Sequence, residues 1–138
     1  MLKRMVTYKD FDDQEQTELL FFNLTGAEMM KVSVSHGGNI KEYIDSIVQA
    51  NDAEKILALV EELILLSYGV KSEDGKRFVK SDQLREDFAC SAAYSAIFTE
   101  LAFDGEKQMA FVEGIMPPDW QELTARAERE AAKRNLPT

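Results

Sequence analysis

His36 and Cys90 are the only histidine and the only cysteine in the chain, so a Cys–His nucleophilic pair would have to be those two. Their surroundings argue against it. His36 sits in the glycine loop His36-Gly37-Gly38, and Cys90 lies among Ala89, Ser91, Ala92 and Ala93 as a small helix-packing residue. Ser35 and His36 are adjacent and cannot easily aim at each other, and no strand–Gly-x-Ser-x-Gly–helix elbow surrounds them. The acidic run Asp10, Asp12, Asp13 and Glu15 invites a calcium loop. Starting at Asp10, such a loop needs glycine where Glu15 stands and a bidentate glutamate where Phe21 stands, so the run reads as a solvated turn. Gly37-Gly38 lacks the lysine and the second glycine spacing of a phosphate loop, and zinc-ligand spacing is absent. Glu61-Glu62 and Glu86-Asp87 are neighbours on helices and point to different faces. No catalytic, metal or cofactor set emerges, and the chain reads as a non-enzymatic protein.

What remains to be explained is apolar. Phe11, Phe21, Phe22, Met29, Met30, Met109, Phe111, Met116 and Trp120 place more bulk near the two ends than a hairpin and a tail ordinarily bury. Methionine and aromatic rings adapt to varied partner surfaces, so binding is favoured over catalysis. The basic residues Lys76, Arg77 and Lys80 cluster in the body, balanced by Glu73, Asp74 and Asp82.

The elements that must position these groups follow from pattern. Residues 2–9 and 16–23 have strand character, with Val6 and Tyr8 alternating with polar residues and Leu19 to Phe22 forming an apolar run. The polar stretch between them makes a β-hairpin the simplest reading. A lone hairpin is marginal in water and must lean on helices or on another subunit. Thr25-Gly26-Ala27-Glu28 is a capping box that opens a helix to about Val34, closed by the glycines after His36. Asn39 caps a helix with the stripe Ile40, Tyr43, Ile44, Ile47 and Val48. Residues 53–68 are apolar on most sides and read as the central helix of the core. Asp74-Gly75 marks a tight turn between Val70 and Phe78-Val79. Ser81 caps a helix carrying Leu84 and Phe88, a further helical pattern runs to about Phe103, and Asp104-Gly105 opens a last body helix that reaches Gly114. Pro117 and Pro118 stop it. Residues 119–136 form a separate helix, with Trp120, Leu123, Ala127 and Ala131 on a weak face and Glu122–Arg126 and Glu130–Arg134 as supporting pairs. That helix either stays exposed or docks through Trp120. The fold class expected is mainly α (α+β) and close to all-α: an N-terminal β-hairpin followed by a bundle of about five to six helices. One domain over 1–118 would carry a C-terminal helical extension over 119–138.

Composition bounds the function classes. The 138 residues carry 25 Asp and Glu against 16 Lys and Arg, a net charge of −9, which repels a nucleic-acid backbone. The acidity belongs to residues 1–118, with 12 basic against 21 acidic side chains, while the last twenty residues are balanced at four each. No apolar stretch has the length of a membrane span, no signal peptide is visible at the N-terminus, and one cysteine fits a reducing cytosol.

From Ser67 onward the chain resembles a known family. Ser67-Tyr68-Gly69-Val70-Lys71-Ser72, Asp74-Gly75-Lys76-Arg77-Phe78 and Ser81-Asp82-Gln83-Leu84-Arg85-Glu86-Asp87-Phe88 are similar to tail assembly chaperones of long-tailed bacteriophages and prophages. So are Ala93-Tyr94-Ser95, Phe98-Thr99-Glu100-Leu101 and Ala110-Phe111-Val112-Glu113-Gly114-Ile115-Met116-Pro117. The resemblance spans roughly residues 4–118; the tail beyond Pro118 has no matching pattern. It implies a mostly helical, self-associating protein without enzymatic activity, working in the cytoplasm of the bacterial host. Such a protein coats the tape measure protein before the tail tube polymerises and helps recruit tail tube subunits. Many members exist as a short form and a frameshifted longer form, and the resemblance implies that this chain would be the shorter. No binding residue of the family carries over individually. The residues expected to meet a partner are Leu63 and Leu66 of the central helix, Tyr68 and Phe78 of the following loop, and Phe111, Met116 and Trp120. The competing readings are an acidic regulator imitating nucleic acid, which needs carboxylates along one exposed face, and a small enzyme built on the paired carboxylates above.

Overall fold

The computed structural model describes residues 1–134. Its elements run β1 (Leu2–Lys9), β2 (Glu15–Phe22), α1 (Gly26–Ser35), α2 (Ile40–Gln49), α3 (Ala53–Ser67), β3 (Tyr68–Lys71), β4 (Phe78–Val79), α4 (Asp82–Ala89), α5 (Ala92–Ala102), α6 (Gly105–Ile115) and α7 (Trp120–Arg134). The hairpin and the helices stand where the sequence pattern puts them. The four strands form one antiparallel sheet in the order β1-β2-β3-β4, so the fold is α+β and not all-α. Residues 135 and 136, the expected end of the last helix, lie outside the described residues.

Helix starts are set locally. Thr25 accepts from the Glu28 amide while the Glu28 carboxylate accepts from the Thr25 amide, a complete capping box. Asn39, Asp52, Ser81, Ser91 and Asp104 each accept an amide three residues on, at 3.1 Å, and so begin α2 through α6. None of these caps requires tertiary context, which is why polar residues alone mark the boundaries.

Contacts sort the chain into two compact units, one of Met1–Asn23 with Leu57–Ile115 and the other of Leu24–Ile56 with the chain from Met116 on. In the first unit the sheet rests on α4, α5 and α6, with α5 lying under β1. Phe22 is its hub: fully buried, its ring centroid is 6.0 Å from Tyr68, 6.1 Å from Phe88 and 5.3 Å from Phe111. Tyr68 and Phe88 stack at 3.9 Å, and Leu59, Leu63, Ile64, Ile97 and Leu101 complete the apolar core. The only side chain of the unit that is both polar and buried, Ser67, donates to the Leu63 carbonyl at 2.6 Å.

In the second unit α7 packs along α1, and α2 packs on α1 as well. Met29 is fully buried there. The Ser33 hydroxyl donates to its sulfur at 3.3 Å, and the Thr124 hydroxyl, which donates to the Trp120 carbonyl at 2.7 Å, lies 3.6 Å from the same sulfur. Among the described residues, Thr124 and Ala127 are the buried side chains α7 brings to this packing. His36 stacks on Tyr43 at 4.3 Å.

The acidic run between β1 and β2 is a hydrogen-bonded turn. Asp10 accepts from the amides of Asp12 and Gln14 and from the Gln16 side chain, each at 2.9 Å, and Asp13 takes the left-handed conformation at φ 58°, which aspartate tolerates. These donors, the Gln14 amide first, hold the Asp10 carboxyl below its ordinary pKa. A carboxylate with a lowered folded-state pKa stabilises the turn above the unfolded-chain value, and loses that contribution as pH falls through the lowered one. Acid is therefore expected to fray residues 9–16 first. Asp10→Ala should do the same at neutral pH, seen as faster amide exchange in that segment with an unchanged melting temperature. An unaltered exchange pattern would show that Asp10 does not hold the turn.

Candidate functional site

Alternation along the strands divides the sheet into two faces. Leu2, Arg4, Val6, Leu20 and Phe22 look toward the helices. Leu2 packs against the α6 glycine, Gly114, and Arg4 pairs with Glu100 of α5. The opposite face carries Lys3, Met5, Thr7 and Lys9 of β1 against Phe21, Leu19, Thr17 and Glu15 of β2, paired in that register. Phe21 is paired in turn with Gly69, and Lys71 with Phe78.

This second face is apolar and open. Met5 is 63% exposed and Leu19, directly across from it, 46%. Phe21 and Phe78 are half-buried. Gly69 makes room here for the Phe78 ring, which would stand 2.6 Å from a Cβ at that position. The ring instead lies over the bare backbone and covers it, which carries the apolar strip from β1 across to β4. Beside the strip, β3 keeps register with β2 for only two pairs, Phe21↔Gly69 and Phe22↔Tyr68. Where it departs, Leu19, Phe21, Tyr68, Val70 and Lys71 line a shallow groove.

The electrostatics of this face run against those of the protein. Lys3 stands across from Phe21, and the Lys71 ammonium lies 5.3 Å from the centre of the same ring, a cation–π distance. Lys9 is exposed at the far end opposite Glu15. Three exposed lysines and one glutamate thus occupy the face of a chain in which acidic residues outnumber basic ones. On the helix-facing side of the sheet, burial first and the nearby Glu18 carboxylate second raise the Tyr68 pKa. The Asp74-Gly75 turn keeps β4 in place: Gly75 adopts φ 73°, and Asp74 accepts from the Ser72 hydroxyl at 2.7 Å and the Lys76 amide at 3.0 Å.

Of the residues singled out from sequence, Phe78 belongs to the open face, and Tyr68, paired with Phe22 and stacked on Phe88, to the helix-facing side of the same sheet. Leu63, Phe111 and Met116 are buried, and Leu66 and Trp120 half-buried. Met116 and Trp120 belong to the second unit, the others to the first. Lys3, Met5, Leu19 and Lys71 were not singled out. The signal for them is present in residues 2–9 and 19–22, where reading every second residue places Lys3 and Met5 on one face and Leu19 and Phe21 on one face. The residues weighed for catalysis take structural places: Cys90 ends α4 and is exposed, and His36 ends α1 in the other unit. Among the described residues no group of three or more His, Cys, Asp or Glu is placed to hold a metal ion, and no helix is long and apolar enough to cross a membrane.

A protein-family model described as phage tail assembly chaperone matches residues 1–138. The match includes the segment after Pro118. No curated protein and no solved structure matches the chain.

Proposed function

The chain belongs to the phage tail assembly chaperone family over its whole length, and from that premise we propose that it acts by holding the tape measure protein before the tail tube closes around it, and helps bring tail tube subunits to the complex. The family role is a non-enzymatic one in tail assembly. The tape measure protein as client, the tube protein as second partner, self-association of the chaperone and work in the host cytoplasm extend that role to this chain. The observation that supports the reading is the open sheet face: an apolar strip left unburied by the protein's own helices is the kind of surface a client with apolar segments can occupy. Phe78 lies at this surface, whereas Tyr68 is turned to the helices with Phe22 and Phe88. Leu66 and Trp120 are half-accessible, while Leu63, Phe111 and Met116 would reach a client only through movement of the helices that bury them.

Co-expression with the tape measure protein encoded alongside tests the reading. The client is expected to become soluble in the presence of this chain and to co-elute with several copies of it. A client that stays insoluble while the chain elutes alone would remove the reading.

A further inference from the structure

We propose that the open face of the sheet is the docking surface, and that its occupant is an amphipathic helix whose apolar stripe is flanked by carboxylates. The proposal rests on the chaperone reading for the identity of the client and on the sheet alone for the client's chemistry.

Met5, Leu19, Phe21 and Phe78 form the strip. From β1 to β4 it crosses three strand spacings, roughly 14 Å, about the length of nine or ten residues of helix. The face presents side chains and not backbone edges, so the complementary element is one that offers an apolar stripe of its own, and an amphipathic helix does so. The charge beside the strip selects the flank. Lys3 and Lys71 stand on either side of Phe21, roughly 12 Å apart given two strand spacings and a two-residue offset along the strand, and Glu15 is confined to the far end against Lys9. Carboxylates beside a docked stripe would meet ammonium groups at the strip, whereas lysines there would meet like charge.

The same arrangement argues against a second copy of the chain on this face. A two-fold, face-to-face contact centred on Phe21 would set Lys3 and Lys71 of each copy against those of the other. The long-range field points the other way from the local one: a net charge of −9 draws basic partners and repels acidic ones. A preference for an acidic helix therefore has to come from this face, and it separates the local effect from the global one.

Two labelled synthetic helices with one and the same leucine stripe test the proposal, one flanked by glutamates and the other by lysines, titrated with the full chain and followed by fluorescence anisotropy. The wild-type protein is expected to bind the glutamate helix about tenfold more tightly than the lysine helix, with the difference shrinking as salt is added. The double variant K3E/K71E should reverse the order. Both lysines are exposed, and a reversal cannot arise from misfolding, which would weaken both helices alike. Leu19→Asp should weaken both, with the circular dichroism spectrum unchanged. Equal binding of the two helices, no binding of either, or an order that K3E/K71E leaves intact would overturn the proposal. So would a change of oligomeric state in K3E/K71E without a change in helix preference, since that result assigns the face to a second copy. The fate of the tape measure protein in co-expression decides the chaperone reading separately. An insoluble client together with a reversed helix preference would remove the client and keep the face.

Discussion

Phe22→Ala is expected to destabilise the sheet-bearing unit by about 4 kcal/mol, within the range for deleting a buried phenylalanine. The ring is fully buried and meets three other rings within about 6 Å. Truncation removes its transfer energy and leaves a cavity walled by Tyr68, Phe88 and Phe111. Those rings come from β3, α4 and α6, so the cavity cannot close by movement of one element alone. Against a typical total of roughly 5–15 kcal/mol, such a loss leaves the unit marginal. Urea unfolding with site-resolved hydrogen exchange checks this: β1, β2, β3 and the amides of α4 to α6 should lose protection. A midpoint close to that of the wild type would show that Phe22 is not the hub.

Met29→Ala is the corresponding experiment in the other unit, with an expected cost of about 3 kcal/mol. Its side chain is fully buried, and two hydroxyls, one from α1 itself and one from α7, point at the sulfur. Alanine there opens a cavity and strips both Ser33 and Thr124 of a neighbour. The Thr124 hydroxyl keeps its bond to the Trp120 carbonyl, whereas the buried Ser33 hydroxyl loses the sulfur it donates to, so the cost combines packing with a lost acceptor. Norleucine at position 29 separates the two contributions, because it keeps the volume and deletes the acceptor. The alanine variant should expose amides of α1 and α7, and norleucine should restore most of their protection. Equal losses in both variants would place the stabilisation in the sulfur contacts.

Element boundaries were legible because their causes are local. Thr25 with Glu28, Asn39, Ser81 and Asp104 start helices by their own side chains, and the alternation in residues 2–9 reads as a strand without reference to anything distant. Pairing was not legible. Tyr68–Lys71 follows α3 without a break, and four residues are too few for a period, so nothing in the local pattern says that Gly69 pairs with Phe21. The tail was half legible. The run of alanines shows a weak face, but Ala127 buries because α1 runs alongside, and a neighbour far away in sequence is beyond what spacing reveals.

The open face was missed for a related reason. Leu19 to Phe22 reads as one apolar run, which suggests a strand buried on both sides. The structure divides the run by alternation, with Leu20 and Phe22 turned to the helices and Leu19 and Phe21 turned away. The lysines beside them reach the same face from β1 and β3, segments more than sixty residues apart in sequence. The segment from Tyr68 to Phe78 brings Gly69, Lys71 and Phe78 to this face, with Tyr68 itself turned to Phe22 and Phe88.

Hydrogen exchange on the chain alone and after co-expression with a tape measure protein, the client proposed above, is the most direct measurement. Binding through the sheet should raise protection in residues 3–7, 17–21 and 69–79 and leave α1, α2 and α7 unchanged. Protection confined to those helices, or none at all, would contradict the assignment of client binding to the sheet face.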